Sequence, residues 1–141
     1  MINIEYPPPS FKMKEENGKE YIFDSFRKLW IRLTPEEWVR QNFLNYLVTV
    51  KKYPASLIAV EKEINLHELK RRCDIIVYKK EQPWMIVECK EMNVAINNAV
   101  IDQVLSYNQS LNTEYLIITN GNTSYGLATK NKVALTTLPD Y

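Results

Sequence analysis

Two short apolar runs joined by a charged turn constrain this chain most: CDIIVY (73–78) and WMIVECK (84–90), with KKEQP (79–83) between them. Apolar, β-branched runs separated by a polar stretch containing a proline read as the two strands of a hairpin. Into these strands the sequence sets Asp74, Glu88 and Lys90. Burying charge in apolar surroundings is costly unless the charge is paired or used. A turn centred near Glu81 places Asp74 and Glu88 opposite each other, as cross-strand neighbours able to share one cation. Lys90, two residues beyond Glu88, projects from the same sheet face. An acid pair beside an ammonium group suits a hard divalent cation and a reacting phosphate. The same register sets Cys73 opposite Cys89 on the other face. They read as two small buried side chains, because a reducing compartment disfavours a disulfide.

The elements around this hairpin follow from local signals. Thr34-Pro35-Glu36-Glu37 opens a helix, with Thr as N-cap and Pro at the first helical position. Trp38, Phe43, Leu44 and Leu47 give the helix an apolar stripe to about Val50, and Tyr53-Pro54 ends it. SLIAVEKEI (56–64) reads as a strand, 93–111 as a second helix through Ile96, Val100, Val104 and Leu105, and EYLIIT (114–119) as a buried strand. NGNTSYG (120–126) reads as a turn, with a last strand near 132–136. Ahead of the core, 1–10 is an extended arm with three consecutive prolines. FKMKEENGKEYIFD (11–24) is a hairpin about Asn17-Gly18, and LWIRL (29–33) is a further strand. The expectation is one domain over 1–141: the arm, a β element over 11–33 packed on the core, and a catalytic core over 34–136.

Composition narrows the class. With 45% hydrophobic and 25% charged residues, the chain falls in the ordinary globular range. No apolar run approaches the roughly 20 residues that span a bilayer. The start MINIEYPPPS lacks the basic and apolar regions of a signal peptide, so a cytoplasmic setting is expected. A net charge of +1 does not mark a basic DNA-binding module, although Lys70, Arg71 and Arg72 cluster just before Asp74. Two cysteines and one histidine cannot supply a structural zinc site without added carboxylates. His67, in a polar turn-like stretch, reads as a surface residue.

An acidic residue, a gap, then Glu-x-Lys resembles the motif of the PD-(D/E)XK nuclease superfamily. The matching residues are Asp74, Glu88 and Lys90; Cys73 stands where the superfamily's name has its proline. The segments TPEEWVRQNFLNYL (34–47), RRCDIIVY (71–78), WMIVECK (84–90) and DQVLSYN (102–108), in that order, resemble the N-terminal nuclease domain of type I restriction enzyme R subunits. They are most similar to its short stand-alone form, and the resemblance spans about residues 20–125.

The resemblance implies an α/β (α+β) restriction-endonuclease-like core: a mixed sheet flanked by helices in the order α-β-β-β-α-β, preceded by the N-terminal β element. It implies Mg²⁺, with Mn²⁺ as a substitute, held by Asp74, Glu88 and the main-chain carbonyl of Cys89. Lys90 would act on the attacking water and the phosphate. Glu37 would complete the acidic cluster, unless it serves the helix cap, in which case Glu36 is the fallback. Gln103 would position the nucleophile or a phosphate, and Arg71, Arg72 and Tyr107 would contact nucleic acid. The implied activity is hydrolysis of DNA phosphodiester bonds, in company with a homodimer mate or a targeting or motor partner. The chain has only Gly18, Gly121 and Gly126 and no GxxxxGK[ST] loop, so no ATP site is expected. The alternative is a non-catalytic nucleic-acid-binding or assembly module on the same scaffold.

Overall fold

The computed structural model describes residues 1–66, 69–108 and 111–141, with side chains left undescribed at 66, 69, 107 and 108. His67 lies outside the described residues, as does the side chain of Tyr107.

Three apolar runs build the centre of the molecule. Strands β4 (Ile58–Leu66), β5 (Leu69–Lys79), β6 (Gln82–Cys89), β7 (Tyr115–Thr119), β8 (Ser124–Ala128) and β9 (Val133–Ala134) form one sheet in that order. β6 and β7 are parallel, and every other neighbouring pair is antiparallel. The parallel step is made through helix α2 (Asn98–Asn108), while α1 (Pro35–Thr49) precedes β4. Ile75-Ile76-Val77, Met85-Ile86-Val87 and Leu116-Ile117-Ile118 are buried throughout, as central strands covered on both faces must be. Alternate residues feed two cores. Val39, Phe43, Leu44 and Leu47 of α1 pack with Ile75, Val77, Met85, Val87 and Ile117. Val104 of α2 packs with Ile76, Ile86, Leu116 and Ile118, with Val100 and Leu105 against them. The mixed sheet flanked by helices is the expected α/β architecture.

The opening β element is a separate three-stranded sheet, ordered β1 (Met13–Glu16), β2 (Lys19–Asp24) and β3 (Leu29–Arg32). Asn17 (φ 52°) and Gly18 (φ 75°) make its first turn, both left-handed as a two-residue hairpin loop requires. Ile22 of this sheet is fully buried, and Phe11 meets Trp38 of α1 edge-on at 5.6 Å. The arm is pinned as well: Ile2 is buried, and its N–H donates to the Ser124 carbonyl at 2.8 Å.

Several boundaries differ from expectation. The segment read as a turn over 120–126 splits: Ser124 already belongs to β8, because the Asn120 side chain closes a tighter turn by accepting from the N–H groups of Asn122 and Thr123. α2 begins at Asn98 rather than 93, since the Asn97 side chain caps it by accepting from the N–H of Val100. The central hairpin turns about Lys80 and Glu81, both at positive φ, which opposes Lys79 to Gln82. A bulge between Val77 and Tyr78 then shifts the pairing, leaving Trp84 as the extra residue, so that Val77 opposes Met85 and Ile75 opposes Val87.

Candidate active site

β5 is irregular where the site forms. Its pairing with β4 runs through Val60↔Ile75 and Lys62↔Cys73 and skips Glu61, whose φ is 54°. A non-glycine residue in the left-handed region is uncommon, and such backbone strain tends to collect at functional positions. Cys73 packs in the α2-side core and Ile75 in the α1-side core. Strict alternation would give them one face, so the strand changes face at Asp74. Ladder pairing with β6 ends at Ile75↔Val87. Beyond it the Asp74 carboxylate stands in for a strand, with Oδ2 accepting the Cys89 N–H at 2.8 Å. The expected facing of the two cysteines is corrected by the same step: Cys89 lies in the α1-side core and Cys73 in the α2-side core. Both are free thiols. Burial pushes both up, Cys73 to about 11 and Cys89 well above its ordinary value, so neither is a thiolate.

α1 supplies the opposite wall. Thr34 caps the helix by accepting the Glu37 N–H at 3.1 Å. The Arg40 side chain, 6% exposed, points at β5. Its Nη2 lies 3.0 Å from Glu36 Oε1, 2.6 Å from Glu61 Oε1 and 2.8 Å from Asp74 Oδ1. A terminal guanidinium nitrogen carries two hydrogens, yet three carboxylate oxygens converge on this one. The Arg40 Nε is buried without a hydrogen-bond partner. Oxygens of Glu36, Glu61 and Asp74 all lie within 4.8 Å of one another.

On the other side of Asp74 stands Glu88. Arg71 Nη2 holds Glu88 Oε1 at 2.7 Å, and Arg72 Nε holds Glu61 Oε2 at 2.7 Å. Burial, then the charge of Asp74, lifts the Glu88 carboxyl to about 7 against the pull of Arg71. Burial also works against the Asp74 carboxylate, but the Cys89 N–H and Arg40 outweigh it and hold Asp74 below its usual range. The pair therefore divides its labour: as pH falls below about neutrality Glu88 is the member that takes up the proton, while Asp74 stays ionised. Burial, followed by the Asp74 charge, raises Glu36 as well.

The family model described as type I restriction enzyme R protein N terminus (HSDR_N) matches residues 35–140, from the first residue of α1 to the end of the large sheet and past it. The chain belongs to that family. No curated protein matches it. The matched region of this R-protein N-terminal family member excludes the three-stranded sheet and holds every acid described above.

Within this family member the expected site residues are distributed unevenly. Asp74 and Glu88 do meet, and Lys90 follows them at the end of β6, its N–H donating to the Thr119 carbonyl at 2.8 Å. No carboxylate among the described residues forms an ion pair with Lys90, although its charge acts on Glu36. Glu88 is taken by Arg71 instead, and Glu91 accepts the Asn93 N–H of its own loop. Arg71 and Arg72 are at the site, each bound to an acid. Gln103 lies on the exposed side of α2.

Of the two candidates on α1, Glu37 stands apart from the convergence of Glu36, Glu61 and Asp74. Its buried carboxylate is occupied by Arg40, by Arg27 at 2.9 Å and by Gln41 at 3.1 Å. Glu36, one residue earlier, stands in the cluster. Sequence reasoning missed Glu61 and Arg40. The signals were a glutamate interrupting the apolar start of β4, and an arginine following Glu36 and Glu37 at helical i,i+4 and i,i+3 spacing.

The donor set fits a hard divalent cation. Three carboxylates converge on one place, and Glu88 stands beside them. That place already holds a positive charge with more acceptors than it can satisfy. Oxygen-only ligation of this kind suits Mg²⁺ or Mn²⁺ rather than softer metals.

Proposed function

We propose that the chain is a metal-dependent nuclease that hydrolyses DNA phosphodiester bonds, with Mg²⁺ as cofactor and Mn²⁺ as a substitute. One observation carries the reading: a single carboxylate, Asp74, joins a convergent acid group (Glu36, Glu61) to a second acid (Glu88), with Lys90 next on the same strand end. Asp74 and Glu88, aided by Glu36, Glu61 and the Cys89 carbonyl, would hold the cation. Bound there, Mg²⁺ would polarise the phosphate and acidify the attacking water.

The remaining work belongs to the chain's own groups. Lys90, in no ion pair among the described residues, orients the water and offsets charge on the reacting phosphate. Arg40 withdraws from the acids when a cation takes its place. Arg71 and Arg72, once their carboxylates turn inward, are released toward the DNA backbone. Gln103 would position the nucleophile or a phosphate and Tyr107 would contact nucleic acid, as the family resemblance implies. Glu37 acts as a positioning residue that holds Arg27 and Arg40. A cytoplasmic setting, and a second copy or a targeting or motor partner, complete the reading; ATP chemistry would come from that partner.

A second reading has its own observation. Arg40, Arg71 and Arg72 pair with the site acids. A scaffold that had given up catalysis for an assembly role would keep such internal pairing.

Titration of Mg²⁺ and Mn²⁺ into wild type and Asp74→Ala, with a plasmid-nicking assay alongside, separates the two. Metal binding and nicking that disappear together in the variant support the nuclease. Absence of metal binding by wild type, with DNA present, leaves the scaffold.

A further inference from the structure

The outer face of the three-stranded sheet concentrates cations and aromatic rings, and the sequence segregates them there. Strand alternation puts Lys12, Lys14, Tyr21, Phe23, Trp30 and Arg32 on one face, with Lys19 and Glu16 at its hairpin end. The contacts agree with that assignment. Phe23 and Trp30 meet edge-on at 5.4 Å. Lys12 sits 5.9 Å from the Phe23 ring centroid, and Lys14 sits 4.6 Å from that of Trp30 and 6.0 Å from that of Tyr21. The opposite face carries Glu15, Glu20 and Asp24 with the buried Ile22. Four cations thus stand with one carboxylate on the outer face, and the acids of β2 all turn away from it.

Trp30 is 38% exposed although tryptophan is strongly apolar. Its neighbours offer it ammonium groups rather than a core. An exposed ring (Trp30) beside two half-buried ones (Tyr21, Phe23) on the adjacent strand, flanked by cations, matches what a single-stranded nucleic acid requires. Every base has a face to stack on a ring, and every linkage has a phosphate to pair with an ammonium. An acidic peptide would use the lysines and leave the rings idle. A duplex hides its base faces and would do the same.

We propose that this face binds single-stranded nucleic acid, with Trp30 as the principal stacking ring, Phe23 and Tyr21 beside it, and Lys12, Lys14 and Arg32 contacting phosphates. The face is tied to the candidate active site: Asp24 on its reverse pairs with Arg27, Arg27 with Glu37, and Glu37 with Arg40. A strand held there is thereby fixed relative to the acids. The binding does not depend on the nuclease reading, because it needs no metal.

The test is fluorescence anisotropy of a labelled oligo-dT titrated with the full chain in EDTA at low salt. Wild type is expected to bind. Trp30→Ala is expected to bind about tenfold or more weakly, while Trp30→Phe keeps most of the affinity. Lys12→Glu with Lys14→Glu is expected to lower the salt slope of log affinity by about one to two. Circular dichroism checks that each variant is folded. Equal binding by wild type and Trp30→Ala overturns the proposal. So does failure of wild type to bind, duplex DNA binding as tightly as oligo-dT, or displacement of oligo-dT by polyglutamate at matched charge.

Discussion

Arg40 Nη2 lies 2.8 Å from Asp74 Oδ1 at the point where the Glu36 and Glu61 oxygens also converge. A guanidinium fixed on α1 thus occupies the place best suited in the described residues to a divalent cation. Under the metal reading, arginine and cation would compete for one set of oxygens, and the protein's response to metal would follow from that competition.

Replacing Arg40 with Met should leave buried carboxylates without their partner, and breaking such a pair costs about 3–5 kcal/mol. Under the metal reading Mg²⁺ should restore much of that loss. The expected outcome is a low melting temperature without Mg²⁺ and a larger rise on adding it than wild type shows. Thermal melts with and without Mg²⁺ measure both. An equal rise in the two proteins would show that Arg40 does not stand in the metal's place.

Glu88 should give stability a dependence on pH. Its folded-state value, about 7, is above the ordinary carboxyl value of 4.5. Its favourable contribution is therefore complete below about 4.5 and fades as pH rises through about 7. Asp74, held low, acts in the opposite sense and loses its contribution only as pH falls below its ordinary value. Denaturation midpoints across pH 5 to 8 should decline in wild type and flatten in Glu88→Gln. Mg²⁺ affinity should rise over the same window, because ligation requires the ionised form.

Glu61→Gln and Glu37→Gln should separate ligation from architecture. Glu61 is one of the three converging acids, so its amide variant should weaken metal binding on the order of tenfold or more while folding normally. Glu37 holds Arg27 and Arg40 from within the core. Its variant should lower the melting temperature and change metal affinity less. Calorimetry for metal, paired with thermal melts, distinguishes them.

Lys90→Ala should bind Mg²⁺ as wild type does and lose nicking by about 10²–10³-fold, the usual cost of removing a group that stabilises charge in the transition state. A variant that nicks normally would remove Lys90 from the chemistry.

The sequence by itself determined a good deal. Apolar runs, helix-start residues and turn dipeptides act over a few neighbours, so the strands at 73–78 and 84–90, the Thr34-capped helix and the Asn17-Gly18 hairpin were legible without coordinates. The hairpin register singled out Asp74, Glu88 and Lys90, and the family resemblance added the mixed, helix-flanked sheet. Tertiary structure decided what local pattern cannot encode. The register read from the sequence holds at the site end, but it does so through a bulge at Trp84, since the turn about Lys80 and Glu81 alone would place it one residue off. The change of face at Asp74 sends Cys73 and Cys89 to different cores, against strict alternation. The choice of Glu36 over Glu37, and the recruitment of Glu61 and Arg40, depend on how α1 docks on β4 and β5. Convergence of charges from separate segments is a long-range property: each residue alone looks like an ordinary polar group, and only packing brings their oxygens to one place.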